Sequence, residues 1–345
     1  MAALYKEIRM RADEISDQVN TLYIGGGTPS VLPLSVYEEL LEVLKEVGHA
    51  GPFEEFTIEV NPEDIVEKGA DYVKGLLKLG VNRISMGVQS FDDSILKFMN
   101  RRHGADTARK AYAILEEAGV QNISIDLIFG LPQLTDKVWE ATLKSALTIS
   151  PSGRNPQHIS SYQLSVEPGS ALAKMVEKGL WSEASEEHCR RQYDILCRTL
   201  AEAGYDHYEI SNFALPGHEA RHNSAYWRHV PYTGFGPGAH SFLVGETHGS
   251  ACRRWNAPDL KRYIEDPLSV QDGEALTDEQ LVIERIMLAL RTSEGISEDF
   301  LREHCEAHDI SHALAAGDLV RTGASALRIP ESRFFVSDAI IASLI

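Results

Sequence analysis

The sequence is short of cysteine: four thiols, Cys189, Cys197, Cys252 and Cys305, in 345 residues. No two lie close enough for a CxxC or CxxxCxxC motif, so no thiol set for a metal or cluster is spelled out. Scattered thiols of this kind read as reduced and partly buried. No apolar run is long enough to span a bilayer. The opening MAALYKEIRMRADEI is a charged amphipathic helix without the continuous apolar core of a signal peptide, and a cytoplasmic location is expected. Positive charge is scarce, with 33 Lys and Arg against 51 Asp and Glu and a formal net charge of −18. That balance excludes general nucleic-acid binding and docking on anionic membrane. No GxGxxG opens a helix, so a dinucleotide-binding half is not favoured.

What is present is an alternation of helix and strand over residues 1–210. Helices are expected at Tyr5–Asn20, Leu34–Val47, Val66–Leu79, Asp92–Met99, Ala105–Ala118, Asp136–Leu147 and Glu186–Ala203. Strands are expected at Leu22–Gly25, Phe56–Val60, Arg83–Gly87, Ile123–Ile128, His158–Leu164 and Asp206–Ile210. Strands alternating with helices imply right-handed βαβ units and a parallel sheet, here a barrel or part-barrel. The chain opens with a helix, so the strand that would normally precede it is missing. Residues 211–275 read as a loop-rich extension. Residues 276–345 read as three helices, a small hairpin and a last helix, a winged-helix-like α+β unit.

The organising stretch is TLYIGGGTPS at 21–30, a short strand broken by Gly25, Gly26 and Gly27. Glycines at a strand end leave bare backbone that a small polar ligand can approach, although a tight strand-to-helix turn would look the same. In parallel β/α barrels the C-terminal strand ends carry function. Here those ends hold Glu59 before Asn61-Pro62, Gln89 after Val88, Asp126 in SIDLIFGLP, and Tyr162, Gln163 and Glu167. Glu59 and Asp126 stand among apolar neighbours, where an unpaired carboxylate is costly. Either an internal salt bridge, to Arg83 or Arg101, or a shared small-molecule site would satisfy them. The run of polar strand ends favours the site: carboxylates accept from an amine or ribose hydroxyls, and Arg101 would pair with a ligand carboxylate.

GGGTPS at 25–30, EVNPED at 59–64, RISMGVQSF at 83–91, MNRRH at 99–103, IDLIFGLP at 125–132 and YQLSVEPGS at 162–170 together resemble the radical S-adenosylmethionine (SAM) proteins of the oxygen-independent coproporphyrinogen oxidase type. HNSAYW at 222–227, the following YTGFGPGAHSF and LRTSEGI at 290–296 resemble the HemW-type heme chaperones within that group. The resemblance implies a partial (β/α)6 barrel with a small C-terminal domain. It implies that Gly26, Gly27 and Thr28 bind the methionyl part of SAM and that Glu59, Gln89, Arg101 and Asp126 are its other contacts. The family also carries CxxxCxxC before the glycine motif, whose thiolates hold a [4Fe–4S] cluster. No cysteine precedes Gly25 here. Either these residues are an N-terminally shortened form, which the intact SAM positions favour, or the cluster has been lost; this chain as it stands is not expected to cleave SAM.

His222 and Tyr226 are four apart, as are Asn223 and Trp227, so on a helix each pair shares a face. Alone, the pattern fits a structural histidine beside core aromatics. The resemblance turns it toward heme, with His222 as iron ligand and Asn223, Tyr226 and Trp227 beside it; Met86, His229 and His240 are possible second ligands. The expected function is therefore a heme chaperone that hands heme to a heme-requiring protein, possible as a homodimer. The alternatives are a coproporphyrinogen III oxidase-like enzyme of porphyrin biosynthesis and a cofactor-free interaction protein.

Overall fold

The computed structural model describes residues 1–16, 18–245 and 251–345. The largest sheet has seven strands: β1 (Thr21–Ile24), β2 (Glu55–Val60), β3 (Arg83–Gln89), β4 (Ile123–Phe129), β5 (His158–Gln163), β6 (Asp206–Glu209) and β7 (Asn212–Ala214). Their order is β1-β2-β3-β4-β5-β7-β6, and β1 to β5 pair in parallel with their neighbours. The helices in order are α1 (Ala2–Met10), α2 (Leu34–Glu46), α3 (Pro62–Lys78), α4 (Asp93–Phe98), α5 (Ala105–Ala118), α6 (Asp136–Leu147), α7 (Ala171–Glu177), α8 (Glu186–Glu202) and α9 (Arg221–Trp227). The sheet is a curled, mostly parallel half-barrel.

Strand alternation separates two environments. Phe56, Ile58, Ile84, Met86, Ile125, Leu127 and Ile159 belong to the buried apolar core beneath the helices. The residues between them, Glu55, Thr57, Glu59, Arg83, Ser85, Ser124, Asp126 and His158, give the concave face a polar lining. The lining is tied across strands: Ser85 donates to Asp126 at 3.1 Å, and His158 meets Ser124 Oγ at 2.7 Å and the Tyr208 hydroxyl at 2.8 Å.

The structure departs from the sequence pattern in four places. The first helix ends at Met10, and a 3-10 turn over Ala12–Glu14 replaces the expected continuation to Asn20, of which Asp17 lies outside the described residues. The cause is tertiary. Arg11 is buried with its guanidinium on Glu7, Glu14, the Gly234 carbonyl and Ser241, and these bonds override helix propensity. The sixth strand does not join the fifth. The chain reverses after β6, so β7 inserts antiparallel between β5 and β6. Helix α7 has no counterpart in the sequence pattern. Finally, residues 211–275 are not loop-rich: they hold α9 and an antiparallel sheet of β8 (His240–Val244), β9 (Ala251–Asn256) and β10 (Gln271–Ala275). These strands are short and follow a Gly-Pro-Gly run; β8 ends in three consecutive apolar residues and β9 and β10 are largely polar, so none shows a clean apolar alternation.

Beyond them come helix Asp278–Ala289, β11 (Ile296–Ser297), helices Glu298–His304 and Ala307–Ala316, and then β12 (Val320–Thr322) and β13 (Ala326–Arg328), the three strands pairing in the order β11-β13-β12. This part of the chain is helical with one small antiparallel sheet.

Candidate functional site

The site is built upward from β1. Gly25 packs so tightly that a Cβ there would stand 2.5 Å from the Tyr23 ring and 2.7 Å from the Glu59 carboxyl. Gly26 takes φ +78°, a left-handed conformation that suits glycine, and its N–H donates to Glu59 Oε2 at 3.1 Å. Tyr23 O–H donates to the other oxygen, Glu59 Oε1, at 2.6 Å. Beyond Gly25, a Cβ on Gly26 or Gly27 would meet nothing within 4 Å, and both are exposed. Bare backbone is therefore open to a ligand beside a fixed carboxylate. Thr28 follows, half-buried, at the start of the 3-10 turn Pro29–Val31.

Gln89 ends β3 at φ +67°, uncommon for a residue with a side chain, at a register shift between Gly87 and Gln89. Its amide folds back over Gly87, where a Cβ would come within 3.0 Å of Gln89 Nε2. Asp126 sits across from Gly87 in β4. Burial pushes its carboxyl up to about 6; the Arg83 guanidinium and the Ser160 and Ser85 hydroxyls pull the other way, and Glu59 adds to the rise.

The MNRRH segment splits its work. Arg102 pairs with Glu63 at 2.9 Å and Asp64 at 3.2 Å, and His103 bonds Glu63 at 3.1 Å and the Val88 carbonyl at 3.0 Å. These bonds fasten the segment to the start of α3 and leave Arg101 alone. Among the described residues Arg101 has no ion pair, yet it lies in the field of Glu63 and Asp126, and burial lowers its pKa. The expected alternative of a salt bridge from Glu59 or Asp126 to Arg83 or Arg101 is not formed among the described residues. Glu59 and Asp126 thus lie on the polar face of β2 and β4, each with hydrogen bonds, and none of Glu59, Gln89, Arg101 and Asp126 borders the cleft beside α9.

Helix α9 lies against β1. Glu55 on β2 accepts from the N–H groups of Arg221 at 2.8 Å and His222 at 3.0 Å. His222 stacks on Tyr23 with ring centroids 5.0 Å apart. Its Nδ1 meets Thr21 Oγ1 and its Nε2 meets the Tyr226 hydroxyl, each at 2.8 Å. Burial lowers the His222 pKa, and Arg83 lowers it further against the opposing pull of Glu55. A neutral imidazole has a lone pair to give to a metal. Trp227 lines the same cleft as His222 and Tyr226; Asn223, half-buried, does not.

That cleft measures 1770 Å³, above the roughly 300–1,000 Å³ of ordinary small-molecule pockets. It lies along β1 and β6, the two edge strands, and is therefore the lateral opening of the unclosed barrel. Gly25 and Gly26 border it as well as α9, and Leu4, Ile8, Leu40 and Phe235 give it an apolar wall. Of the three possible second ligands, Met86 is fully buried on the helix side. His229 is held by Glu284 at 3.2 Å and stacked on Phe242. His240 is exposed, stacked on Trp255, and borders the cleft.

Sequence reading missed Thr21, Tyr23 and Glu55, and gave Arg83 only as a salt-bridge partner. The first three share a strand parity with Gly25 or Glu59, which was a usable signal. Arg83 lies on the same polar face, yet it is 2% exposed, and among the described residues its Nε has no hydrogen-bond partner and it forms no ion pair.

The residues present fit SAM: open glycine backbone, an anchored carboxylate, a free amide and an unpaired guanidinium. The described cysteines do not fit a cluster. Cys189 and Cys197 lie on α8, Cys252 on β9 and Cys305 after helix Glu298–His304, all as free thiols.

Comparison with known proteins bears on the fold and the family. Residues 4–146 match the family model described as the radical SAM superfamily. The solved structure of the coproporphyrinogen III oxidase HemN of Escherichia coli superposes with a TM-score of 0.77 at 22% identity, over 99% of this chain and 81% of that one. Fold and matched model define the class: a radical SAM half-barrel. The heme chaperone HemW of Bacillus subtilis is 34% identical over 284 residues, 81% of this chain and 71% of that protein. HemW of Synechocystis is 33% identical over 284 residues, again 81% of this chain and 66% of the relative. The chain belongs to the HemW heme chaperone family.

Proposed function

We propose that this chain binds heme in the lateral opening of its half-barrel and passes it to a heme-requiring protein. One observation carries the reading: a single cleft is bordered by Gly25 and Gly26 of the strand-end site and by His222, Tyr226 and Trp227 of α9. Heme is flat and mostly apolar, and the cleft offers an apolar wall, aromatic faces and a half-buried imidazole. Iron would replace the Tyr226 hydroxyl on His222 Nε2, while Nδ1–H donates to Thr21 Oγ1, the outer hydrogen bond that fixes a ligating histidine.

Gly26, Gly27, Thr28, Glu59, Gln89, Arg101 and Asp126 would hold SAM, with Arg101 on its carboxylate. Bound to a [4Fe–4S] cluster, SAM supplies radical chemistry in this superfamily. Residues 1–210, completed by β7 at Asn212–Ala214, serve as the barrel; the rest of 211–275 carries the heme motif and 276–345 form the winged-helix-like unit. No described helix is long and apolar enough to cross a membrane. With the net charge of −18, this supports a cytoplasmic protein that handles heme and a protein acceptor rather than nucleic acid.

Hemin titration followed at the Soret band tests the proposal. A saturable band is expected, with His222→Ala weakening binding by tenfold or more. No saturable binding, or equal binding by His222→Ala, would overturn it.

A further inference from the structure

We propose that Tyr23 couples the heme and SAM sites, so that each ligand tightens the binding of the other. This rests on the two sites assigned above and adds a link between them.

The link is a continuous set of contacts on and beside β1. Thr21 Oγ1 and the Tyr23 ring hold His222 from one side, by the 2.8 Å hydrogen bond and the 5.0 Å stack. The Tyr23 hydroxyl then reaches Glu59 Oε1 at 2.6 Å, and Glu59 Oε2 takes the Gly26 N–H at 3.1 Å. Each step is a direct contact: imidazole to phenol ring, phenol hydroxyl to carboxylate, carboxylate to glycine backbone. Both oxygens of Glu59 are in use, one toward each site. Gly25 locks the junction, since its missing side chain is what allows Tyr23 and Glu59 to meet.

The consequence follows from ordering. The Gly26–Gly27 backbone is exposed, and the Gly26 N–H on Glu59 Oε2 is what ties it to the carboxylate. A ligand with hydrogen-bond donors that settles on Glu59 and the open glycine backbone adds to the two bonds the carboxylate already has and narrows the motion left to it, to the Tyr23 hydroxyl and to the ring. His222 then meets iron with its stacking partner already in place. The ordering is done once and serves both ligands, which is positive coupling. Thermodynamic linkage makes it reciprocal. Tyr23 is a positioning residue here; it touches neither ligand's reacting atoms.

The test is a pair of hemin titrations of the full chain, without and with saturating SAM, repeated on Tyr23→Phe. Phenylalanine keeps the ring on His222 and removes only the hydroxyl. Wild type is expected to bind hemin about 5- to 150-fold tighter with SAM present. Equilibrium dialysis should show hemin tightening SAM by the same factor. In Tyr23→Phe the factor should fall toward one. Tyr205→Phe is the control, because its hydroxyl is bonded to the Pro156 carbonyl away from β1, and it should retain the full factor. Hemin binding through His222 that ignores SAM in wild type would overturn the coupling and leave the heme reading standing. A Tyr23→Phe chain that keeps the wild-type factor would do the same. Hemin binding that is indifferent to His222→Ala would remove the heme reading and the coupling with it.

Discussion

Asp126 shows what a strand carboxylate among apolar neighbours does to the folded chain. Its pKa rises from 3.8 to about 6 through burial, so between those values the native state holds a proton that the unfolded chain releases. Stability therefore falls as pH rises through that window, and above it the ionised carboxylate is a standing cost. A rise of this size is worth at most about 3 kcal/mol. Solvent at the open mouth reduces this, so Asp126→Asn should stabilise the protein by about 1–2 kcal/mol near pH 8 and by almost nothing near pH 4. Urea unfolding at the two values checks it; equal gains at both would refute the assignment. The same substitution should weaken SAM, which would mark a residue kept for binding rather than for stability.

At the scale of the element, α9 is too short to stand by itself, and nothing in it is fully buried. It is held by what it rests on. Glu55, 4% exposed, satisfies two of its first N–H groups. Thr21 and Tyr23 hold His222 from β1. Glu55→Ala would leave two amides unpaired and should cost about 1–3 kcal/mol. Because the loss falls on α9, hemin affinity should drop as well, although Glu55 touches no heme. Denaturation and Soret titration on one preparation separate the two effects. A stability loss with unchanged hemin binding would mean that α9 keeps its place without this cap.

At the scale of the molecule, the C-terminal unit and the half-barrel share one core. Phe334 is fully buried and stands edge-on to His207 of β6, with centroids 5.0 Å apart, and Phe335 packs on Tyr193 of α8 at 5.6 Å. The apolar cluster runs without a break from Phe56 and Ile84 through Leu196 to Leu301 and Ile340. Phe334→Ala should therefore destabilise the whole chain by about 3–5 kcal/mol. Loss of far-ultraviolet and near-ultraviolet circular dichroism should coincide during denaturation. Two separated transitions would show that the units are independent after all.

Local pattern was enough to read the parallel strands β1 to β5, their helices and the polar strand ends, because period-2 and period-3.6 alternation is written into neighbouring residues. It also yielded Glu59, Gln89, Asp126 and the His222–Tyr226 spacing, and the motifs around them identified the family. Three features depended on contacts between distant segments. Arg11 ended the first helix by bonding residues more than 200 positions away. β7 entered the sheet because the chain reversed after β6, a choice made by pairing with β5 and not by its own three residues. The meeting of Tyr23, Glu59 and His222 joins three segments that have no order in common along the chain. Sequence by itself determined which residue types were available for binding. Tertiary structure alone decided which of them touch, because hydrogen bonds and ring contacts act over a few ångströms of space, whatever the separation in sequence.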